Sequence, residues 1–161
     1  MGLDMYLSVR ESISNWNFDI EDKGNNDRFT AIVATSGITV KESYPVIEIK
    51  NTEIYWRKAN QIHGWFVENC GNGLDEGQYM PVSRDKLVEL HNTCTMLLDT
   101  KSRGLANEIL PPTPGFFFGT YEIDDWYWQD LEHTHKELSG LLERITDENK
   151  WDYEIEYYAS W

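Results

Sequence analysis

The chain begins and ends in alternation. Leu3, Met5, Leu7 and Val9 alternate with Asp4, Tyr6, Ser8 and Arg10, while Trp151, Tyr153, Ile155, Tyr157 and Ala159 alternate with Asp152, Glu154, Glu156 and Tyr158. A period of two sends successive side chains to opposite faces of a strand, so residues 2–10 and 151–159 are expected to be strands, the second with one polar face. Between them lie helical spacings and no internal repeat. The expectation is α+β: a single domain over residues 1–161, with a small, mostly antiparallel sheet packed by about three helices.

The first helix is expected over 53–69, where Tyr55, Ala59, Ile62, Phe66 and Val67 recur at three and four, with Cys70-Gly71 as a left-handed stop. The second runs from Arg84 to Thr100 behind Ser83, an N-cap, with Leu87, Leu90, His91, Cys94, Leu97 and Leu98 on one face. The third follows Asp124 and carries Tyr127, Leu131, Leu138, Leu141, Leu142 and Ile145. Residues 11–28 read as a long polar loop on which Trp16, Phe18 and Ile20 dock locally. Phe29 to Val40, with β-branched patches on either side of Ser36-Gly37, reads as a hairpin or bulged strand, and Pro45 to Ile49 as a short strand. Leu110-Pro111-Pro112-Thr113-Pro114-Gly115 suits neither helix nor central strand and forms a rigid elbow.

Twenty-eight acidic residues against 14 Lys plus Arg give a formal charge of −14. That sign disfavours bulk nucleic acid and an anionic membrane surface as partners. Hydrophobic residues make up 40% and aromatic residues 14%, too much apolar surface for a disordered acidic tail. Cys70 and Cys94 are too few for a secreted disulfide framework, no secretory leader is expected, and no apolar run is long enough to span a bilayer. A cytoplasmic protein is the expectation. The charge is uneven: Tyr121 to Trp161 holds twelve acidic and three basic residues.

Against that acidity, Arg57, Lys58 and His63 form a basic island. On a helix Trp56, Asn60 and His63 would share a face, with Arg57 and Gln61 beside it, offering cation, amide, imidazole and indole to a phosphate, carboxylate or nucleobase. The bland alternative is that Arg57 and Lys58 pair with the acidic third helix while the aromatics fill the core. Phe116-Phe117-Phe118-Gly119-Thr120-Tyr121 then leads into Asp124-Asp125-Trp126. A glycine-bearing turn before a helix can bind an anion, but Glu122, Asp124 and Asp125 crowd the place a phosphate would take. His63, Cys70, His91 and Cys94 lack the close pairing of a zinc knuckle, and His133 and His135 point apart on a helix. Ser83 to Lys86 has the Ser-x-x-Lys spacing without the rest of that machinery. No catalytic set, metal site or cofactor motif is assigned.

The opening Met1-Gly2-Leu3-Asp4-Met5-Tyr6-Leu7, the Tyr55-Trp56-Arg57-Lys58-Ala59-Asn60 segment with Ile62-His63 and Trp65-Phe66-Val67, the stretch from Leu110-Pro111 to Gly119, and the ending Tyr158-Ala159-Ser160-Trp161 together resemble a family of small proteins encoded by phages, prophages and bacteria. The likeness spans nearly the whole chain, leaving out residues 11–35 and 101–108. The resemblance implies a setting, the cytoplasm of a bacterial host cell, in which accessory proteins act by binding. The leading expectation is a counter-defence protein that captures an anionic nucleotide-like ligand through Trp56, Arg57, Lys58, Asn60, His63, Tyr121, Asp125 and Trp126. The alternatives are an acidic inhibitor that presents residues 121–156 to a basic host protein, imitating DNA, and a small hydrolase using His63 with Asp124 or Asp125. The partner is then a small anionic ligand or a host protein, and homo-oligomerisation stays open.

Overall fold

A computed structural model describes residues 2–16 and 23–161. The contacts divide the chain into two compact units, Met1–Val9 with Thr52–Trp161 and Arg10–Asn51. Strands β1 (Asp4–Ser14) and β2 (Val46–Arg57) each cross that boundary.

The larger unit is built on a four-stranded sheet of order β2-β1-β4-β3, completed by β3 (Met80–Pro81) and β4 (Tyr153–Ser160). The sheet is mostly antiparallel: β3 pairs with β4 in register Met80 to Tyr157, and Lys58 N–H, just past the end of β2, donates to Leu3 O, just before the start of β1. The alternation at both ends of the chain becomes burial. Leu3, Met5 and Leu7 and then Ile155, Tyr157 and Ala159 enter the core, together with Ile54 and Trp56 of β2.

Helices α2 (Asn60–Cys70), α3 (Arg84–Thr100), α4 (Arg103–Ile109) and α5 (Asp125–Arg144) belong to the same unit. The Ser83 hydroxyl accepts from Lys86 N–H and the Asp124 carboxylate from Tyr127 N–H, so the two longest helices start where their capping residues place them. Leu87, Leu90, Cys94 and Leu97 of α3 meet Leu131, Leu138 and Leu141 of α5 in one cluster, and the Phe66 ring stacks on Tyr157 at 4.1 Å. The proline-rich elbow passes over α2 where Gly64 leaves room for it, since a Cβ there would collide with Thr113 Oγ1. Among the described residues no helix is long and apolar enough to cross a membrane.

Three expectations are corrected. Residues 53–57 extend β2, and the helix starts only at Asn60, because Ile54 and Trp56 alternate into the core against exposed Tyr55 and Arg57. Its end is not left-handed at Gly71, which has φ −99°; the left-handed residues are Asn72 and Gly73. Seven residues expected in a polar link form α4, capped by Ser102, whose hydroxyl accepts from Leu105 N–H.

In the unit Arg10–Asn51, residues expected as loop and hairpin instead hold the end of β1 and helix α1 (Lys23–Ser36). Phe29, Ile32 and Val33 are spaced to share one helix face, which outweighs the β-branched composition. Gly37, at φ +70°, donates its N–H to Val33 O and ends the helix, so Ser36-Gly37 is a helix stop and not a hairpin turn. Arg28 grips Glu11 with two hydrogen bonds, and Trp16 meets Tyr44 edge-on. Phe18 and Ile20 lie outside the described residues.

Candidate functional site

The segment between β2 and α2 turns sharply. Lys58 has φ +61°, a conformation that costs a non-glycine residue about 1–2 kcal/mol. Its N–H donates to Leu3 O and its carbonyl accepts from Asn60 N–H at 2.8 Å across Ala59, whose φ −75° and ψ 68° define an inverse γ-turn. A strained cation at the head of a helix calls for surroundings that hold it. They come from Asn60, which is 3% exposed. Its side-chain amide donates to Phe118 O at 3.0 Å and Thr120 O at 2.8 Å, and its Oδ1 accepts from Thr113 N–H at 3.0 Å. One residue thereby fixes the elbow and the Phe118–Thr120 turn beside Lys58. Gly119 makes the approach close: at φ +94°, a Cβ on it would lie 3.4 Å from Lys58 Cβ.

These pieces and the start of α5 enclose a cavity of about 710 Å³ lined by Arg57, Lys58, Asn60, Gln61, Pro112, Gly119, Thr120, Glu122, Asp124, Trp126, Tyr127 and Asp130. Its size is that of a small-molecule site. Its charge is mixed, two cations facing three carboxylates. Neither Arg57 nor Lys58 is ion-paired with a carboxylate among the described residues, whereas Arg84, Lys86, Lys101, Arg144 and Lys150 are. Trp126 is 69% exposed, leaving an indole at the cavity rim.

Asp130 is a carboxyl of the lining that its surroundings perturb. Burial pushes its carboxyl up to about 6, opposed by the Gln61 hydrogen bond and the charge of His133 and reinforced by Asp124. Gln61, itself 3% exposed, donates to Asp130 Oδ2 at 3.1 Å. The backbone of that turn is also fixed, since Asp130 O accepts from the Thr134 hydroxyl, which accepts from the Trp56 indole N–H at 2.8 Å. Tyr127 donates to Leu110 O and anchors the elbow to α5.

Of the eight residues singled out in the sequence, Arg57, Lys58, Asn60 and Trp126 line the cavity. Arg57 and Lys58 do so from a strand end and a turn, not from a helix face. Trp56 is buried and holds α5 from within. Tyr121 and Asp125 are exposed outside the lining, and the Tyr121 hydroxyl donates to Gly115 O. His63 is fully buried: its Nδ1 is 2.8 Å from the Tyr157 hydroxyl and its Nε2 is 3.1 Å from Asp75 Oδ2. The structure therefore does not bring His63 to Asp124 or Asp125. Both ring nitrogens are occupied, and Asp124 is occupied in capping α5. Burial also lowers the His63 pKa, with Asp75 opposing, so the neutral ring accepts from Tyr157 and donates to Asp75.

Asp130 was not singled out in the sequence, and Gln61 was read only as flanking the face of Trp56, Asn60 and His63. Asp130 carried a signal, a carboxylate bordering the stripe of Tyr127, Leu131 and Thr134. The Gln61 contact spans 69 positions and has no local mark. Among the described residues no group of three or more His, Cys, Asp or Glu side chains is placed to hold a metal ion. His91 instead stacks on His135, and Cys70 and Cys94 are unbonded. Compared with protein-family models, curated proteins and solved structures, the chain matches none.

Proposed function

We propose that this protein binds a small anionic, nucleotide-like ligand in the cavity headed by Arg57 and Lys58. The observation that carries the reading is the placing of these two cations, without ion-pair partners among the described residues, in a 710 Å³ cavity that has an exposed indole at its rim. A guanidinium and an ammonium suit a phosphate, and the Trp126 face suits a planar base. The left-handed Lys58 fits a position kept for its charge at a cost in backbone energy. The phage-type setting implied by the sequence makes capture of a nucleotide signal, in a counter-defence role, the biological form of this activity.

The acidic-inhibitor reading draws less support. Two acids of the last quarter are engaged within the protein, Glu132 by Lys101 and Asp147 by both Arg84 and Lys150. The hydrolase reading also draws less support, because His63 is buried with both ring nitrogens hydrogen-bonded.

A ligand that binds only the folded state raises the melting temperature by mass action. Nucleoside monophosphates are expected to raise the Tm of the wild type and not that of Arg57→Ala. A panel of nucleotides that leaves the wild-type Tm unmoved overturns the reading.

A further inference from the structure

We infer that the cavity selects anionic ligands that also present two adjacent, coplanar N–H donors, the edge carried by a guanine base or a guanidinium, and that Asp130 is the acceptor that reads them. This rests on the cavity being the binding site proposed above and names the class of ligand it takes.

The charge balance of the lining is the starting point. A ligand that is anionic all over, such as a polyphosphate, would meet Glu122, Asp124 and Asp130 as well as Arg57 and Lys58. Favourable contact with both signs requires an anion at one end and donors at the other. Asp130 is suited to receive those donors because its position is fixed in advance. Gln61 holds Oδ2 at 3.1 Å, and the chain from Trp56 through Thr134 holds the backbone carbonyl of the same residue. A carboxylate has about four lone-pair sites, so one Gln61 bond leaves acceptor capacity on both oxygens. Among the described residues no other side-chain hydrogen bond to this carboxylate is present.

A carboxylate with two parallel lone pairs is matched by two parallel donors. Guanine offers them on one edge, its ring N–H and exocyclic amine, as does guanidinium. Adenine places an acceptor nitrogen beside its amine, which would direct a lone pair against the carboxylate, and uracil sets its single N–H between two carbonyls. Trp126 at the rim provides a face for either planar group. One such charge-assisted hydrogen bond separates guanine from adenine by about tenfold or more.

The test is calorimetric titration of the full chain at pH 8 with GMP, AMP, inorganic phosphate, L-arginine and L-lysine, repeated with Asp130→Asn. GMP is expected to bind at least about tenfold more tightly than AMP and phosphate, and the Asn variant to bring GMP down to the level of AMP. L-Arginine tighter than L-lysine by a similar factor, with GMP equal to AMP, supports the donor-pair assignment and identifies its source as a guanidinium. GMP equal to AMP together with arginine equal to lysine, where binding is still lost in Arg57→Ala, overturns this inference and leaves the proposed function standing. Binding of none of the five overturns both. The wild-type ratios decide the matter even where Asp130→Asn fails to fold.

Discussion

Gln61 donates its side-chain amide to Asp130 Oδ2 at 3.1 Å, joining the first turn of α2 to α5 at the wall of the cavity. The contact holds a half-buried carboxylate in the same cavity lining as Arg57 and Lys58 without neutralising it by an ion pair.

That arrangement has a signature in pH. The Asp130 carboxyl is raised from an ordinary 3.8 to about 6, so the folded chain holds this proton more tightly than the unfolded chain. Its contribution therefore destabilises the fold as pH rises from about 4 to 6, and the penalty is complete above 6. Asp130→Asn is expected to be more stable than the wild type at pH 8 and to lose that advantage near pH 4. Urea unfolding at the two pH values measures the difference.

Lys58 is held at φ +61°. Lys58→Gly removes the left-handed penalty but frees the unfolded chain, and the balance is an expected gain of up to ~1 kcal/mol in stability. The same change is expected to weaken nucleotide binding, because it deletes one of the two cavity cations. Paired melting curves, with and without ligand, separate the two effects.

Asn60 donates to two carbonyls and accepts one amide. Asn60→Asp keeps the acceptor and sets a carboxylate against Phe118 O and Thr120 O inside a buried position. A loss of about 2–4 kcal/mol is expected from the stranded carbonyls and the buried charge, read from the urea midpoint.

His63 provides a control outside the cavity. Its pKa is lowered by burial, so the stability tied to the neutral ring is present above pH 6.5 and is lost as pH falls below it, the opposite slope to that of Asp130. His63→Ala strands the Tyr157 hydroxyl in the core and is expected to cost about 2–4 kcal/mol at pH 8. It is expected to leave nucleotide affinity unchanged below the unfolding transition, which separates the present account from one in which His63 acts in the site.

What the sequence showed followed local rules. Ser83 and Asp124 marked the starts of α3 and α5 because a cap and the periodicity behind it are local in the chain. The terminal strands were legible for the same reason. The junction at Arg57 was misplaced because Tyr55, Ala59 and Ile62 fit a helical spacing that Trp56 breaks only by being buried under α5 through Thr134, 78 residues away. Likewise, α1 formed where Thr30, Ile32 and Val33 suggest a strand. Arg57, Lys58, Asn60 and Trp126 stood out by type and were brought to one cavity. His63 stood out equally, and only the positions of Tyr157 and Asp75 reveal it as a core residue. Asp130 bordered the apolar stripe of α5, but its raised pKa is a property of burial, not of neighbours in sequence.

The central claim is that Arg57 and Lys58 head a binding cavity. It is tested most directly by isothermal titration of nucleoside monophosphates into the wild type and into Arg57→Ala, each shown to be folded by its melting curve. The account predicts saturable binding at one site per chain in the wild type and a loss of about tenfold or more in the variant. Binding of equal strength in the two proteins, or no binding to the wild type by any of the nucleotides, would contradict it.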